Sequence, residues 1–318
     1  MHTYAYGNTG FDLTNIGLGT WAIGGWMWGK QEEKDSIAAI LAAVEAGINW
    51  IDTAPIYGGG ESEVAVGKAV AQIPQNDRPY IFTKFGLGYN TDNVVKTGSR
   101  KAVISECEAS LKRLKIDSID LLQLHWPTPE AITETAEACN DLIQQGKVKK
   151  VGVCNYNVTE LQEWLDSGFP LHSLQAPYSI LRPQIEEEIL PFCFKNIIPV
   201  MAYSPLFRGL LFGKWDANKT FPEGDARGSH PDYSGERLIA HMEAIDEIKI
   251  IAANLNISCA ALCLATILKT DGLNSVIVGA RNAIQGAALA ELDHPIDAST
   301  AIEVRDIITK LNQNLSKL

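Results

Sequence analysis

Basic residues are in short supply: 27 Lys and Arg stand against 38 Asp and Glu, a formal net charge of −11. A phosphate-backbone footprint needs clustered positive charge, so nucleic acid is not expected as a partner. Long apolar runs are also missing. The longest, Cys259 to Leu268, stops at Lys269, far short of the ~20 residues that span a bilayer, so no membrane segment is expected. The opening Met1-His2-Thr3-Tyr4-Ala5-Tyr6-Gly7 has neither a basic n-region nor an apolar h-region, which reads as no secretory signal and a cytosolic protein. The six cysteines (Cys107, Cys139, Cys154, Cys193, Cys259 and Cys263) form no Cys-x-x-Cys pair and have no His at zinc-ligand spacing. They read as reduced, mostly buried thiols, and no metal is expected. No internal repeat, low-complexity tract or interdomain linker is visible. The 318 residues are therefore expected to form one domain, a length that α/β barrels reach.

What is present is ordinary globular composition, 46% hydrophobic and 20% charged, enough to bury a sizeable core. Short β-branched apolar runs alternate with longer helix-period segments, the pattern of parallel strands joined by crossover helices. Eight strands are expected at Asn15–Leu18, Ile48–Asp52, Tyr80–Lys84, Ser118–Leu124, Val148–Val153, Leu171–Gln175, Ile198–Tyr203 and Ser275–Val278. Among the intervening helices, Lys34–Ala46, Gly60–Val70, Ser99–Leu114, Glu130–Gln145 and Glu236–Asn254 are the clearest. Eight such units predict an α/β fold, a closed (β/α)8 TIM barrel. Ahead of it, Thr3 to Leu13 carries Gly7-Asn8-Thr9-Gly10 between alternating segments, a β-hairpin signal suited to plugging one barrel end. After strand seven, Leu206 to Tyr233 is rich in Gly, Pro and charge without periodicity, as expected of a long lid loop.

In such barrels the reacting groups sit at the C-terminal ends of strands. Strand two ends at Asp52 and leads into Thr53-Ala54-Pro55-Ile56-Tyr57, strand three ends at Thr83-Lys84, and strand four ends at Leu124-His125. Singly, Asp52 could cap a turn, Tyr57 could be a loop aromatic, Lys84 could be solvated and His125 could be a hydrogen-bonded core group. Together, a Lys and an Asp at adjacent strand ends are expensive to bury unless they pair. An adjacent ammonium favours phenolate, so Lys84 is expected to lower the Tyr57 pKa from its usual ~10 and make it a usable acid. Asp52 would hold Lys84 charged, and His125 would hydrogen-bond a carbonyl oxygen or relay a proton.

Through almost its whole length the sequence resembles the aldo-keto reductase family. The likeness rests on Gly17-Leu18-Gly19-Thr20-Trp21, on Ile51-Asp52-Thr53-Ala54-Pro55-Ile56-Tyr57-Gly58 with Gly60-Glu61-Ser62-Glu63, on Thr83-Lys84, on Ser110-Leu111-Lys112-Arg113-Leu114 and on Leu124-His125-Trp126-Pro127. It implies a catalytic tetrad of Asp52, Tyr57, Lys84 and His125, and NADPH lying extended across the barrel mouth without a Rossmann fold. The lack of Gly-x-Gly-x-x-Gly is then no argument against a dinucleotide. Carried over by position, Thr20, Trp21 and Asp52 border the cofactor, Asn155 and Gln175 hydrogen-bond the nicotinamide carboxamide, and Tyr203 stacks on the ring. Ser204, Leu206, Arg208 and Gly209 resemble a pyrophosphate loop, with Lys214 and Arg227 closing from the lid. Gly279, Arg281 and Gln285 resemble the adenosine-phosphate segment, although Gly286-Ala287-Ala288-Leu289 lacks the Glu-Asn pair often found on adenine and Cys154 stands where a Ser is usual. The Gly-Ala-Arg form is most like bacterial reductases of the general stress protein type.

Arg281 is expected to read a 2′-phosphate and to favour NADPH over NADH about ten- to hundred-fold, the scale of one charge-assisted contact. Trp28, Tyr57, His125 and Trp126, together with Trp26, Met27 and Tyr89, are expected to wall an aromatic pocket for a small aldehyde or ketone. The expected activity is hydride transfer to that carbonyl with Tyr57 as proton donor. Two other readings stay open: a nucleotide-binding regulatory subunit resembling the potassium-channel β subunits, and a Schiff-base aldolase with Lys84 as nucleophile.

Overall fold

A computed structural model of the chain describes residues 1–25, 31–90, 93–223, 225 and 227–318. Its strands in chain order are β1 (Thr3–Ala5), β2 (Asp12–Thr14), β3 (Ile16–Gly19), β4 (Trp50–Asp52), β5 (Tyr80–Phe85), β6 (Leu87–Asn90), β7 (Asn93–Lys96), β8 (Ile119–Leu124), β9 (Val148–Cys154), β10 (Leu174–Pro177), β11 (Val200–Tyr203) and β12 (Leu273–Gly279). Eight of them close in the order β10-β11-β12-β3-β4-β5-β8-β9, every neighbour parallel. This is the expected (β/α)8 barrel. The five helices expected from periodicity appear as Glu33–Glu45, Glu61–Val70, Arg100–Leu114, Ile132–Gln144 and Gly235–Asn254.

Local sequence explains the elements. In Arg100–Leu114 the buried positions Val103, Cys107, Ser110 and Leu114 recur at helical spacing and face the barrel, while Lys112 and Arg113 lie in the last turn, where the helix dipole favours cations. Lys115, at φ 55°, ends it in the left-handed region. The apolar run Cys259–Leu268 is a buried core helix, and among the described residues no single helix is long and apolar enough to cross a membrane. All six cysteines are buried and unpaired.

The hairpin β1–β2 pairs antiparallel, Thr3 opposite Thr14, and plugs the barrel end away from the mouth. Tyr6, Phe11 and Leu13 pack there on the inward side chains of Trp50, Phe82, Leu121, Met201 and Ile277. Trp50 Nε1 donates to Thr14 O at 2.9 Å, which ties the plug to β4. A larger cluster fills the space between the strands and the helical ring. The sixth expected strand starts later than Leu171, and a second hairpin, β6–β7, stands beyond β5 where the sequence reading has only loop. After β11, in the expected lid stretch, Trp215 packs edge to face on Phe221 and on Tyr233, and Phe207 packs edge to face on Tyr233.

Candidate active site

Because all eight strands run the same way, the residues that close them meet at one mouth. Asp52 ends β4, Lys84 is next to last in β5, His125 follows β8, Asn155 follows β9, Gln175 lies in β10 and Tyr203 ends β11. Tyr57 reaches them from the turn after β4. Gly58, Gly59 and Gly60 follow it with φ of 63°, 63° and 100°, a left-handed run that glycine adopts without steric cost. A Cβ on Gly24 would lie 2.6 Å from the Tyr57 carbonyl carbon, so glycine there lets the two turns touch and seats the tyrosine.

At the centre is a buried ion pair. Lys84 Nζ donates to Asp52 Oδ1 at 2.6 Å, to Thr53 O at 2.9 Å and to Tyr57 Oη at 3.2 Å. The lysine side chain is 0% exposed and the aspartate 3%. Burial works against the ammonium, but the Asp52 carboxylate, by its charge and its hydrogen bond, leads the neighbours that outweigh it and leave the lysine pKa above its ordinary value. A lysine so firmly protonated is a poor Schiff-base nucleophile, which tells against the aldolase reading.

Tyr57 corrects the sequence-based expectation. Lys84 does pull its pKa down, yet burial is the larger effect and the phenol is pushed up to about 12. It therefore keeps its proton at neutral pH and yields it only to a stronger base. His125 stands edge-on to Tyr57, ring centroids 5.9 Å apart, and burial with the nearby Lys84 charge holds it well below the usual histidine range. A neutral imidazole has one N–H to offer a carbonyl oxygen.

The residues assigned by resemblance fall into two groups. Asn155, at φ 61°, donates to His125 O at 3.0 Å and accepts from the Tyr203 hydroxyl at 2.8 Å, so these three lie together. Gln175 Nε2 donates to Asp52 Oδ2 at 2.8 Å. Thr20 is fully buried, its hydroxyl donating to Asp52 O at 3.0 Å and accepting from Ser62 Oγ at 2.7 Å. The Arg208 guanidinium lies over the Trp21 ring at 5.6 Å, and that ring is 6.5 Å from Tyr57. Ser204, Phe207, Arg208 and Gly209 all have positive φ, between 48° and 104°. Non-glycine residues held there are strained, and such turns present backbone amides as an anion-binding concavity. Leu206 is buried beneath that turn, and Arg227 donates to Arg208 O at 3.4 Å while gripping Asp225. Lys214 is exposed on the same segment.

The second group lies past Gly279. Arg281, Asn282 and Gln285 line a recess of about 280 Å³ with Gln31, Glu32 and Asp35. Gln31 holds Arg281 at two points, accepting from its Nε at 2.9 Å and donating to its carbonyl at 2.8 Å. Gln285 accepts from the Arg281 amide at 2.9 Å. The arginine assigned to a 2′-phosphate thus shares its recess with two carboxylates. Bonds to Arg227 first, and to a smaller degree the Arg281 charge, hold the Asp225 carboxyl below its ordinary value.

Trp126 is 38% exposed at the mouth, with Lys96 of β7 over its ring at 4.7 Å. Trp26, Met27 and Trp28 lie outside the described residues. Sequence reasoning missed Glu63, fully buried, which accepts from Thr83 Oγ1 and Arg113 Nε, both at 2.6 Å, and braces β5 behind Lys84. It also missed Gln123, whose signal was a lone amide in the apolar run Leu121-Leu122-Gln123-Leu124.

The aldo/keto reductase family model matches residues 15–307, nearly the whole barrel. The chain belongs to the aldo/keto reductase family. It is 38% identical to the aldo-keto reductase YhdN of Bacillus subtilis, over 92% of this chain and 88% of that protein. It is 34% identical to the NADH-specific methylglyoxal reductase of Escherichia coli, over 99% and 95%. Among solved structures it resembles the glycerol dehydrogenase AKR11B4 from Gluconobacter oxydans, at 33% identity, TM-score 0.90 and coverage of 97% and 95%. It also resembles an aldo/keto reductase from Klebsiella pneumoniae in complex with NADP and acetate, at 25% identity, TM-score 0.73 and coverage of 97% and 96%. Membership makes the chain an oxidoreductase of small carbonyl compounds that works with a nicotinamide cofactor.

Proposed function

We propose that this aldo-keto reductase reduces small aldehydes and ketones, 2-oxoaldehydes such as methylglyoxal among them, with Tyr57 as proton donor and NADPH as the preferred hydride source. The observation that carries this reading is the buried Lys84 ammonium, 2.6 Å from Asp52 and 3.2 Å from the Tyr57 hydroxyl, beside a neutral His125. The donor set at the mouth fits a nicotinamide dinucleotide: amide side chains of Asn155 and Gln175 beside Tyr203, the left-handed Ser204–Gly209 turn with Arg208, and the Arg281 recess.

When bound, the nicotinamide supplies hydride to the carbonyl carbon. His125 offers its N–H to the carbonyl oxygen and sets its direction. As charge builds on that oxygen it becomes a stronger base than a phenolate, and Tyr57 transfers its proton to it, giving the alcohol. The phenolate left on Tyr57 lies against the Lys84 ammonium, which Asp52 keeps in place, and solvent returns the proton.

Preference for NADPH should be narrow. One charge-assisted contact from Arg281 corresponds to about ten- to hundred-fold, and Glu32 and Asp35 in the same recess repel a 2′-phosphate while accepting a 2′-hydroxyl, which leaves roughly tenfold or less. The test is oxidation of NADPH by methylglyoxal and a panel of carbonyls. Tyr57→Phe should keep NADPH affinity and lose turnover by about two orders of magnitude or more, the scale of one general acid. Normal turnover in that variant would remove Tyr57 from the role.

A further inference from the structure

Two glutamines stand in the layer beneath the mouth, where such barrels are ordinarily filled by branched apolar side chains. Gln123, two residues before His125, is fully buried, and Gln175 is 3% exposed. Their bonds form one circuit around Asp52. Oδ1 accepts from Lys84 at 2.6 Å, while Oδ2 accepts from Gln175 Nε2 at 2.8 Å and from Gln123 Nε2 at 3.2 Å. Gln175 Nε2 also donates to Gln123 Oε1 at 3.3 Å. The neighbouring strand leaves room for this. Gly152 pairs with Gln123 across β8 and β9, and a Cβ on it would lie 3.3 Å from Gln123 Cγ and 2.2 Å from Ser173 Oγ.

We propose that Gln123 is a positioning residue that holds the Asp52 carboxylate and the Gln175 amide in one frame, so that the contact to the nicotinamide carboxamide and the Lys84–Tyr57 proton donor are set together. The proposal rests on the reading that Gln175 faces the nicotinamide. The terminal torsion of a glutamine is broad and hardly fixes itself. Here both Asp52 and Gln123 accept from the Gln175 nitrogen, which fixes the amide plane, and Gln175 Oε1 takes no donor from the described residues. That oxygen is suited to the carboxamide N–H. An apolar residue at 123 would remove one donor from Asp52 and one acceptor from Gln175 while leaving Lys84 and Tyr57 untouched. Buried networks respond as units, so both ends should loosen together.

The test uses the full chain with Gln123→Leu and Gln123→Glu, thermal unfolding as the control for folding, and calorimetric titration with NADPH and with 2′-phospho-ADP-ribose, which lacks nicotinamide. Gln123→Leu should weaken NADPH about three- to tenfold, the scale of one neutral hydrogen bond, leave the fragment's affinity unchanged and lower kcat by at least a similar factor. Gln123→Glu should behave like the wild type while its carboxyl is protonated at acidic pH. It should lose kcat and NADPH affinity as pH rises and a second carboxylate forms beside Asp52. Should the leucine variant fail to fold, the glutamate variant, which keeps shape and acceptor, decides alone. Equal weakening of NADPH and fragment, no change in either, or a wild-type pH profile for Gln123→Glu would overturn the proposal. A wild-type chain that binds NADPH but reduces no carbonyl would defeat the functional reading and leave the affinity comparison in force.

Discussion

In Lys84→Met the Asp52 carboxylate keeps two amide donors, Gln175 at 2.8 Å and Gln123 at 3.2 Å, and loses the ammonium at 2.6 Å. Removing one partner of a buried ion pair usually destabilises by about 3–5 kcal/mol, because the other charge stays buried. The two remaining bonds put this case at the lower end, roughly 3 kcal/mol, or about 4–5 °C in Tm for a chain of this size. Adding Asp52→Asn removes the orphaned charge, and the double variant should recover to within about 1 kcal/mol of the wild type. Activity should not follow stability. Both variants lack the cation that pulls the Tyr57 pKa down, so both should lose carbonyl reduction by about two orders of magnitude or more. Thermal unfolding and steady-state kinetics on the single and double variants check this together. A double variant that regains turnover would show that Tyr57 works without the Lys84 cation, and one less stable than Lys84→Met would show that the orphaned Asp52 charge is not the source of the loss.

Other consequences can be measured separately. Arg281→Ala should raise the NADPH Kd about tenfold or more and leave NADH nearly unchanged, and Asp35→Asn should widen the preference for NADPH; equal loss of both cofactors in Arg281→Ala would show that the arginine contacts something common to them. Burial, and then the Lys150 charge, lower His172 to about 4. A lowered histidine contributes stability that is present above the unfolded value of ~6.5 and lost as pH falls toward about 4, so the denaturation midpoint should drop across that window and His172→Gln should flatten the drop. An unchanged slope in that variant would contradict the assignment. Saturating NADPH should raise Tm, by about 2.7 kcal/mol of added stability at a hundred times its Kd, and no shift would tell against cofactor binding.

The barrel was readable because apolar runs of strand length alternate with helical periods, and because polar residues closing those runs, Asp52, Lys84 and His125, can meet only at one mouth. The hairpin β6–β7 was not, since its strands Leu87–Asn90 and Asn93–Lys96 are only four residues each, too short for a period to stand out from loop. Pairing partners remote in sequence were hidden for a different reason. Gln31 and Arg281 are 250 residues apart, and nothing in either segment announces that Glu32 and Asp35 share the arginine's recess. The sign of the Tyr57 shift was misjudged because sequence shows the neighbouring charge but not the depth of burial. Gln123 was visible as a polar residue in an apolar strand, but its partner Asp52 lies 71 positions away.

In the proposed reaction, hydride reaches a carbonyl carbon at the mouth formed by Tyr57, Lys84 and His125. The most direct measurement is single-turnover reduction of methylglyoxal with NADPH carrying deuterium at nicotinamide C4 on the transferred face, followed by mass spectrometry of the product. One deuterium should appear on the new carbinol carbon in the wild type, with the same transfer slowed by about two orders of magnitude in Tyr57→Phe. Product without deuterium, or equal rates in the two proteins, would contradict it.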